Sequence, residues 1–235
     1  MTGRIQGVIF DFNGTMFFDG EFHEQAWRMY LEQVTGRRIK DAEFQKYVHG
    51  RNAGDSLSYF LDRELTREEI AAFEEEKEVI YRRLCLDCPE KLYLAGGLPE
   101  FLDALVENGI PVTIATAAGW NNVQFFFRQF GLERWFDPGQ VVFNDGTLPG
   151  KPEPDVYLRA SENIRVSIQN CMVFEDARSG IEAARRAGAG IIIGVASMLD
   201  VSALLSCGAT AVIEDYHDRE SLLSEYIGRR NEEHI

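Results

Sequence analysis

Six short apolar segments, each bounded by turn or polar residues, constrain the fold of this sequence more than any other feature. Segments of this kind are typical of buried β-strands. After about residue 87 they alternate with stretches of helical character, which predicts an α/β fold with a doubly wound parallel sheet and helices on both faces. The predicted strands are Gly7–Phe10, Pro111–Thr116, Gln140–Phe143, Cys171–Glu175, Gly190–Gly194 and Ala211–Glu214. The predicted helices include Leu98–Asn108, Asn121–Phe130, Asp155–Ile164 and Ser179–Ala187.

Residues 17–86 interrupt this alternation. They are rich in helix formers, and apolar residues recur at helical spacing from Phe22 through Ala26 to Tyr30. Thr66 and Glu69 form a capping-box pattern, which is typical of a helix start. We therefore predict a helical cap domain over residues 17–86, inserted into a core domain made of residues 1–16 and 87–235.

The charge balance restricts the partners of the protein. The sequence contains 24 Lys and Arg against 38 Asp and Glu, a formal net charge of −14. Such a surface repels nucleic acid and anionic lipid, and no apolar run reaches the roughly 18 residues of a membrane span, so we expect neither partner. The first ten residues lack signal-peptide features, and Cys85 and Cys88 form an isolated CxxC pair. We expect a cytoplasmic monomer with reduced thiols and a small-molecule substrate.

Reactive side chains stand at the ends of the predicted strands or in the loops after them. Asp11 follows the first strand, Thr116 ends the second, and Lys151 lies in a loop before a proline. The pair Glu175-Asp176 ends another strand. Ligands of such sheets bind beyond the carboxyl ends of the strands, so we expect these groups to meet. Separated carboxylates suit Mg²⁺, a carboxylate can form an acyl phosphate, and a lysine can neutralise phosphoryl oxygens.

These residues resemble the motifs of the haloacid dehalogenase superfamily of phosphotransferases. The chain is most similar to the branch of β-phosphoglucomutases and phosphoglycolate phosphatases. Residues 11–15 (Asp-Phe-Asn-Gly-Thr) match the first motif and Thr116 the second. Lys151 in Gly-Lys-Pro-Glu-Pro matches the third, and Phe-Glu-Asp at 174–176 with Gly180 matches the fourth. The resemblance covers nearly the whole chain and implies a Rossmann-like core with a helical cap inserted after the first motif.

The resemblance also implies a role for each matching residue. Asp11 would be the nucleophile that takes the phosphoryl group, and Asn13 and Lys151 would be the other catalytic positions. Mg²⁺ would be held by Asp11, by the backbone carbonyl of Asn13 and by Asp176, and Glu175 would act through water. The cap would close over the site and select the substrate. Candidate phosphate and substrate contacts are Phe12, Thr116, Ala117, Asn121 and Lys151 in the core, and His23 and Arg51 in the cap.

Asn13 departs from the family pattern, which has Asp at this position as a general acid and base. An amide cannot exchange a proton in that role, and loss of such a group typically costs about 10²–10⁴ in rate. Three explanations are open. The residue is an engineered change that traps a complex, or it is natural and His23 or Glu24 handles the proton, or the protein exchanged turnover for binding.

We therefore predict a Mg²⁺-dependent phosphatase or phosphomutase that acts on a small phosphorylated metabolite through an aspartyl phosphate. The alternative is a catalytically impaired or non-catalytic protein that binds a phosphometabolite. Two further departures argue against a faithful β-phosphoglucomutase. The cap arginine of the mutases aligns near Ala53, which leaves Arg51 as a substitute, and their lysine after the second motif falls near Gly119.

Overall fold

A computed structural model describes residues 5–49 and 51–227 of the chain. Residues 1–4, 50 and 228–235, which the predicted domains include, lie outside the described residues. One sheet of six strands runs in the order β3-β2-β1-β4-β5-β6, and every neighbouring pair is parallel. The α/β fold with a parallel sheet is thereby confirmed. The strands are β1 (Gly7–Phe10), β2 (Val112–Gly119), β3 (Val142–Asn144), β4 (Cys171–Glu175), β5 (Ile191–Val195) and β6 (Ala211–Ile213).

The described chain divides into two compact units, with boundaries after Phe18 and after Leu92. The unit of residues 19–92 is helical. Its core contains Tyr30, Leu31, Phe44 and Leu57. The predicted capping box of Thr66 and Glu69 is confirmed at the start of the fourth helix. The Thr66 side chain accepts from the Glu69 N–H, and the Glu69 side chain accepts from the Thr66 N–H. The helices are α1 (Gly20–Thr35), α2 (Asp41–Tyr47), α3 (Ala53–Leu61) and α4 (Arg67–Asp87).

The other unit holds the sheet, with apolar side chains buried on both of its faces. Ile9 packs into a cluster with Val173, Ile181 and other residues of one face. Phe10 contacts Phe101 and stacks on Phe174 on the opposite face, as alternation along a strand requires. The helices of this unit are α5 (Leu98–Glu107), α6 (Trp120–Phe130), α7 (Asp155–Asn163), α8 (Arg178–Ala187), α9 (Val201–Cys207) and α10 (Arg219–Leu222).

Strand β2 is longer than the sequence predicted. It continues past Thr116 to Gly119, and its pairing with β3 shifts register between Ala115 and Gly119. Through this irregularity the strand continues over three further small residues to the start of α6, whereas the predicted strand ended at Thr116. Within the described ranges, no helix is both long enough and apolar enough to cross a membrane.

Candidate active site

The pairing of β1 with β4 brings three carboxylates together. Phe10 is in register with Phe174, and the Asp11 N–H donates to the Phe174 carbonyl at 3.0 Å. Asp11 directly follows β1, Glu175 ends β4 and Asp176 follows it, and each offers an oxygen within 4.8 Å of the others. We call these three residues the acidic cluster. The sequence placed them at strand ends, and the strand order makes them neighbours.

Lys151 bridges two members of the acidic cluster. Its Nζ lies 2.6 Å from Asp11 Oδ1 and 2.6 Å from Glu175 Oε1. The three side chains are only 8%, 9% and 1% exposed in the order Lys151, Asp11, Glu175. Burial opposes the charge of Lys151, but the two carboxylates outweigh it and hold the pKa of Lys151 well above its usual value. The peptide bond between Lys151 and Pro152 is cis, which the sequence did not indicate.

Both carboxylate oxygens of Glu175 accept hydrogen bonds. Oε1 accepts from Lys151 Nζ and from the Tyr157 hydroxyl at 2.9 Å, and Oε2 accepts from the Ala177 N–H at 2.9 Å. A Cβ on Gly180 would lie 1.6 Å from Glu175 Oε1, so this carboxylate rests against the bare backbone of α8. The glycine of the fourth motif is therefore explained by the space that Glu175 occupies.

The loop after β1 lies directly against Asp176. Gly14 has a φ of +74°, and a Cβ there would lie 2.1 Å from Asp176 Oδ2. The Thr15 hydroxyl donates to Asp176 Oδ1 at 3.5 Å. Asn13 is half-buried and its backbone pairs with Phe17, which closes the loop. A glycine is needed at position 14 for two reasons, its left-handed backbone and the close approach of a carboxylate.

The remaining predicted residues of the core unit are Thr116 and Ala117 in β2, Asn121 in the first turn of α6, and Phe12 in the loop after β1. Thr116 is buried, and its hydroxyl oxygen accepts from the Ala118 N–H at 3.1 Å. Ala117 and Asn121 are exposed. Phe12 is buried and stacks on Phe126 with ring centroids 4.0 Å apart, so its ring packs in the core and faces no substrate.

A cleft of about 140 Å³ joins Thr116 and Lys151 to the loop that follows β3. Phe143 and Leu148 supply apolar walls, while Asn144 and Asp145 supply polar groups. Hydrogen bonds from Thr147 hold the pKa of the Asp145 carboxyl below its usual value. The sequence predicted Lys151 at the end of this loop as a site residue, but not Asp145 or Leu148, which belong to no recognisable motif.

His23 and Arg51 belong to the helical unit. His23 Nε2 lies 3.3 Å from Asp19 Oδ2, and its ring stacks on Tyr81 at 4.1 Å between centroids. The Tyr81 hydroxyl donates to the same buried carboxylate, and burial together with Asp19 raises the pKa of Tyr81 well above its usual value. The exposed Arg51 donates from Nε to the Lys46 carbonyl at 3.0 Å.

Tyr157 and Tyr216 are site residues that the sequence analysis missed. Both are fully buried, and the Tyr216 hydroxyl donates to the Thr15 carbonyl at 3.3 Å. Burial, Asp11 and Asp176 raise the pKa of Tyr216 well above its usual value. In the sequence the two tyrosines resemble ordinary core residues, and only their position against the acidic cluster distinguishes them.

Comparisons with known proteins agree with this geometry. The model of the haloacid dehalogenase-like hydrolases matches residues 5–188. A phosphorylated carbohydrates phosphatase of Thermotoga maritima is 28% identical over 215 residues, 89% of this chain and 94% of that protein. A crystal structure of a HAD hydrolase of family IA, variant 3, from Entamoeba histolytica has a TM-score of 0.86 and 39% identity, over 91% of this chain and 95% of that one.

A β-phosphoglucomutase from Clostridium difficile has a TM-score of 0.74 and 25% identity, over 94% of this chain and 97% of that one. The resemblance inferred from the four motifs is therefore confirmed. The family match spans both the first motif and the fourth, and it includes the inserted helices. The chain belongs to the haloacid dehalogenase-like hydrolase family, as an enzyme of the phosphatase and phosphomutase type.

Proposed function

We propose that the protein transfers the phosphoryl group of a phosphorylated sugar through an aspartyl phosphate on Asp11, with Mg²⁺ as cofactor. One observation carries this proposal. Lys151 Nζ lies 2.6 Å from both Asp11 and Glu175, beside a third carboxylate, at the carboxyl ends of parallel strands. The names of the relatives support a sugar phosphate as the substrate class.

The donor set of the acidic cluster fits Mg²⁺. Three carboxylates offer oxygen atoms within 4.8 Å of one another, and hard oxygen ligands are those that Mg²⁺ prefers. The bare Gly14 leaves room for Asp176 at this place. Asp11, Asp176 and the Asn13 carbonyl would hold the ion, with Glu175 acting through water. Bound there, Mg²⁺ would offset the negative charge of the phosphoryl oxygens.

The residues of this chain divide the reaction into two steps. An Asp11 oxygen forms a bond to phosphorus, the ester bond to the sugar oxygen breaks, and that oxygen takes up a proton. Water or a second sugar hydroxyl then attacks the aspartyl phosphate and gives up its proton, which regenerates the Asp11 carboxylate. Lys151 lowers the repulsion between the anionic nucleophile and the anionic substrate, and Thr116 orients the phosphoryl oxygens.

Asn13 cannot carry the proton in these steps, and His23 is our candidate for that role. Its Nε2 is 3.3 Å from the buried Asp19 carboxylate, and the Tyr81 ring stacks on its imidazole. A carboxylate in this position orients the imidazole, as a general acid and base requires. We expect His23→Ala to lower turnover. The matched control is His217→Ala, which removes an exposed histidine that also pairs with an aspartate, at 2.9 Å.

The test is phosphate release from a panel of hexose, pentose and polyol phosphates, with Mg²⁺ or with EDTA. We expect release only with Mg²⁺, and none from Asp11→Asn. Asp137→Asn, the same change at an exposed helix cap, should leave the rate unchanged. Mass spectrometry after exposure to an acyl phosphate should detect a phosphoryl adduct on Asp11.

Asn13→Asp separates an active enzyme from an impaired one. If proton transfer limits the native chain, this variant should gain about 10²–10⁴ in rate. A small gain would instead support His23 as a working replacement. No release from either protein, on any substrate and with Mg²⁺ present, would contradict the proposed function and favour a phosphometabolite-binding protein, which ligand-induced thermal stabilisation would detect.

A further inference from the structure

Tyr157 is a buried polar residue at the acidic cluster to which the proposed steps give no role. It lies in the first turn of α7, and its side chain is fully buried. Its hydroxyl donates to Glu175 Oε1 at 2.9 Å, and its ring centroid is 5.0 Å from Lys151 Nζ. The side chain thus contacts both Lys151 and the carboxylate that binds Lys151.

We propose that Tyr157 is a positioning residue for phosphoryl transfer, which fixes the Lys151 ammonium beside Asp11 by holding the Glu175 carboxylate in place. The inference rests on the proposed function of Asp11 and Lys151. It adds a residue that touches no reacting atom and acts through Glu175.

The hydrogen bonds of Glu175 show how the Tyr157 hydroxyl affects the position of Lys151. A lysine ammonium is a compact charge on a flexible stem, so its position depends on its acceptors. One of those acceptors, Glu175 Oε1, is shared with the Tyr157 hydroxyl. The other Glu175 oxygen is bound by the Ala177 N–H, so the carboxylate is held at both ends. Without the hydroxyl, the Lys151 ammonium is the one donor to Glu175 Oε1 among the residues that the structure describes, and the two groups can shift together away from Asp11.

The tyrosine ring contributes to the same position. An ammonium within about 6 Å of an aromatic centroid is attracted to the ring face, and more strongly where water is excluded. Lys151 satisfies this distance and its side chain is only 8% exposed. Tyr157 therefore contacts Lys151 by its ring and Glu175 by its hydroxyl, and these contacts act on the same ion pair.

Tyr157→Phe tests the proposal, because it removes the hydroxyl and keeps the ring. We expect kcat and kcat/KM to fall together by about 10- to 100-fold while KM stays unchanged, as for the loss of a hydrogen bond to a charged group needed in the transition state. Tyr30→Phe is the matched control. Tyr30 is 1% exposed and its hydroxyl donates to Glu76 at 2.9 Å within the helical unit. We expect its kinetics to match the native enzyme.

A double-mutant cycle tests whether the effect passes through Glu175. On a Glu175→Gln background, Tyr157→Phe should change kcat much less than it does in the native chain, because the group it positions is already altered. Equal effects on both backgrounds would contradict the proposal, as would an unchanged kcat or a rise in KM alone. If Tyr157→Phe does not fold, Tyr157→Met removes the same hydroxyl and fills the space with a flexible side chain.

A second readout does not depend on turnover. The rate at which an amine-directed reagent modifies Lys151, followed by peptide mass mapping, should rise in Tyr157→Phe and stay at the native value in Tyr30→Phe. If the native enzyme releases no phosphate from any substrate, the proposed function fails while this labelling result still stands. If the enzyme is active and the labelling rate of Lys151 is the same in all three proteins, the positioning role is refuted.

Discussion

Replacing Lys151 by methionine should destabilise the folded protein far more than the loss of an ordinary ion pair. The ammonium is within 2.6 Å of two carboxylates that are 9% and 1% exposed. Without it, Asp11 and Glu175 remain buried as like charges with oxygen atoms within 4.8 Å. Methionine is similar in length, so the change removes mainly the charge.

Two estimates give a similar loss of stability. With an effective dielectric constant of about 20, two unit charges at 4.8 Å repel by about 3.5 kcal/mol. Removal of one partner from a buried ion pair typically costs about 3–5 kcal/mol. We therefore expect Lys151→Met to lower the free energy of unfolding by about 3–5 kcal/mol, which is a large part of the about 5–15 kcal/mol of a typical domain.

Urea unfolding followed by circular dichroism measures this change. With an m-value of about 3 kcal/mol/M, the urea midpoint should fall by about 1–1.7 M. The experiment is done in EDTA, because a divalent cation at the acidic cluster would replace the missing charge. Adding Mg²⁺ should recover more stability in Lys151→Met than in the native chain.

Two further variants make the result decisive. Lys91→Met removes a lysine whose Nζ is 2.5 Å from Glu21 Oε2, but both side chains are exposed, so its midpoint should stay at the native value. Adding Glu175→Gln to Lys151→Met should recover part of the loss, because one of the two like charges is gone. A midpoint for Lys151→Met within about 0.3 M of the native value would refute the reasoning.

Other predictions concern a glycine and the thiols. Helical Gly→Ala changes usually stabilise, but Gly180→Ala should lower the free energy of unfolding by about 1–3 kcal/mol and reduce turnover, because its Cβ would lie 1.6 Å from Glu175 Oε1. Gly150→Ala, where a Cβ meets no described atom within 4 Å, should show no such loss when both are unfolded in urea. A colorimetric thiol reagent at pH 8 should react rapidly with the half-buried Cys88 and Cys207. Burial raises the pKa of Cys85 and Cys171 to about 12, so these two thiols should react slowly. Rapid reaction of all four thiols would contradict this prediction.

Much of the fold could be predicted because its signals are local. The run from Gly7 to Phe10 is apolar and is followed by an acid and a glycine, and β1 ends where that run ends. The helix predicted over Asp155–Ile164 and the strand predicted over Cys171–Glu175 have close counterparts in α7 and β4. Strand β2 ran beyond its prediction because its last residues are small and pair with β3 through an irregular register that no local pattern records.

Of the candidate site, the sequence supplied the charged residues and their strand ends, whereas their supports came only from the structure. Asp11, Lys151 and Glu175 stand in motifs whose spacing is visible along the chain. Tyr157 and Tyr216 carry no such mark, since a tyrosine in a helix or loop is as often a plain core residue.

By itself, the sequence determined that reactive side chains stand at the ends of successive strands, since strands and turns follow from neighbouring residues. The tertiary structure decided which of those ends meet. Strand β1 lies between β2 and β4, so a carboxylate at residue 11 faces another at residue 175, and a lysine from a distant loop lies between them. Strand order and long-range packing depend on the whole chain, and they create the burial and close approach on which the proposed chemistry depends.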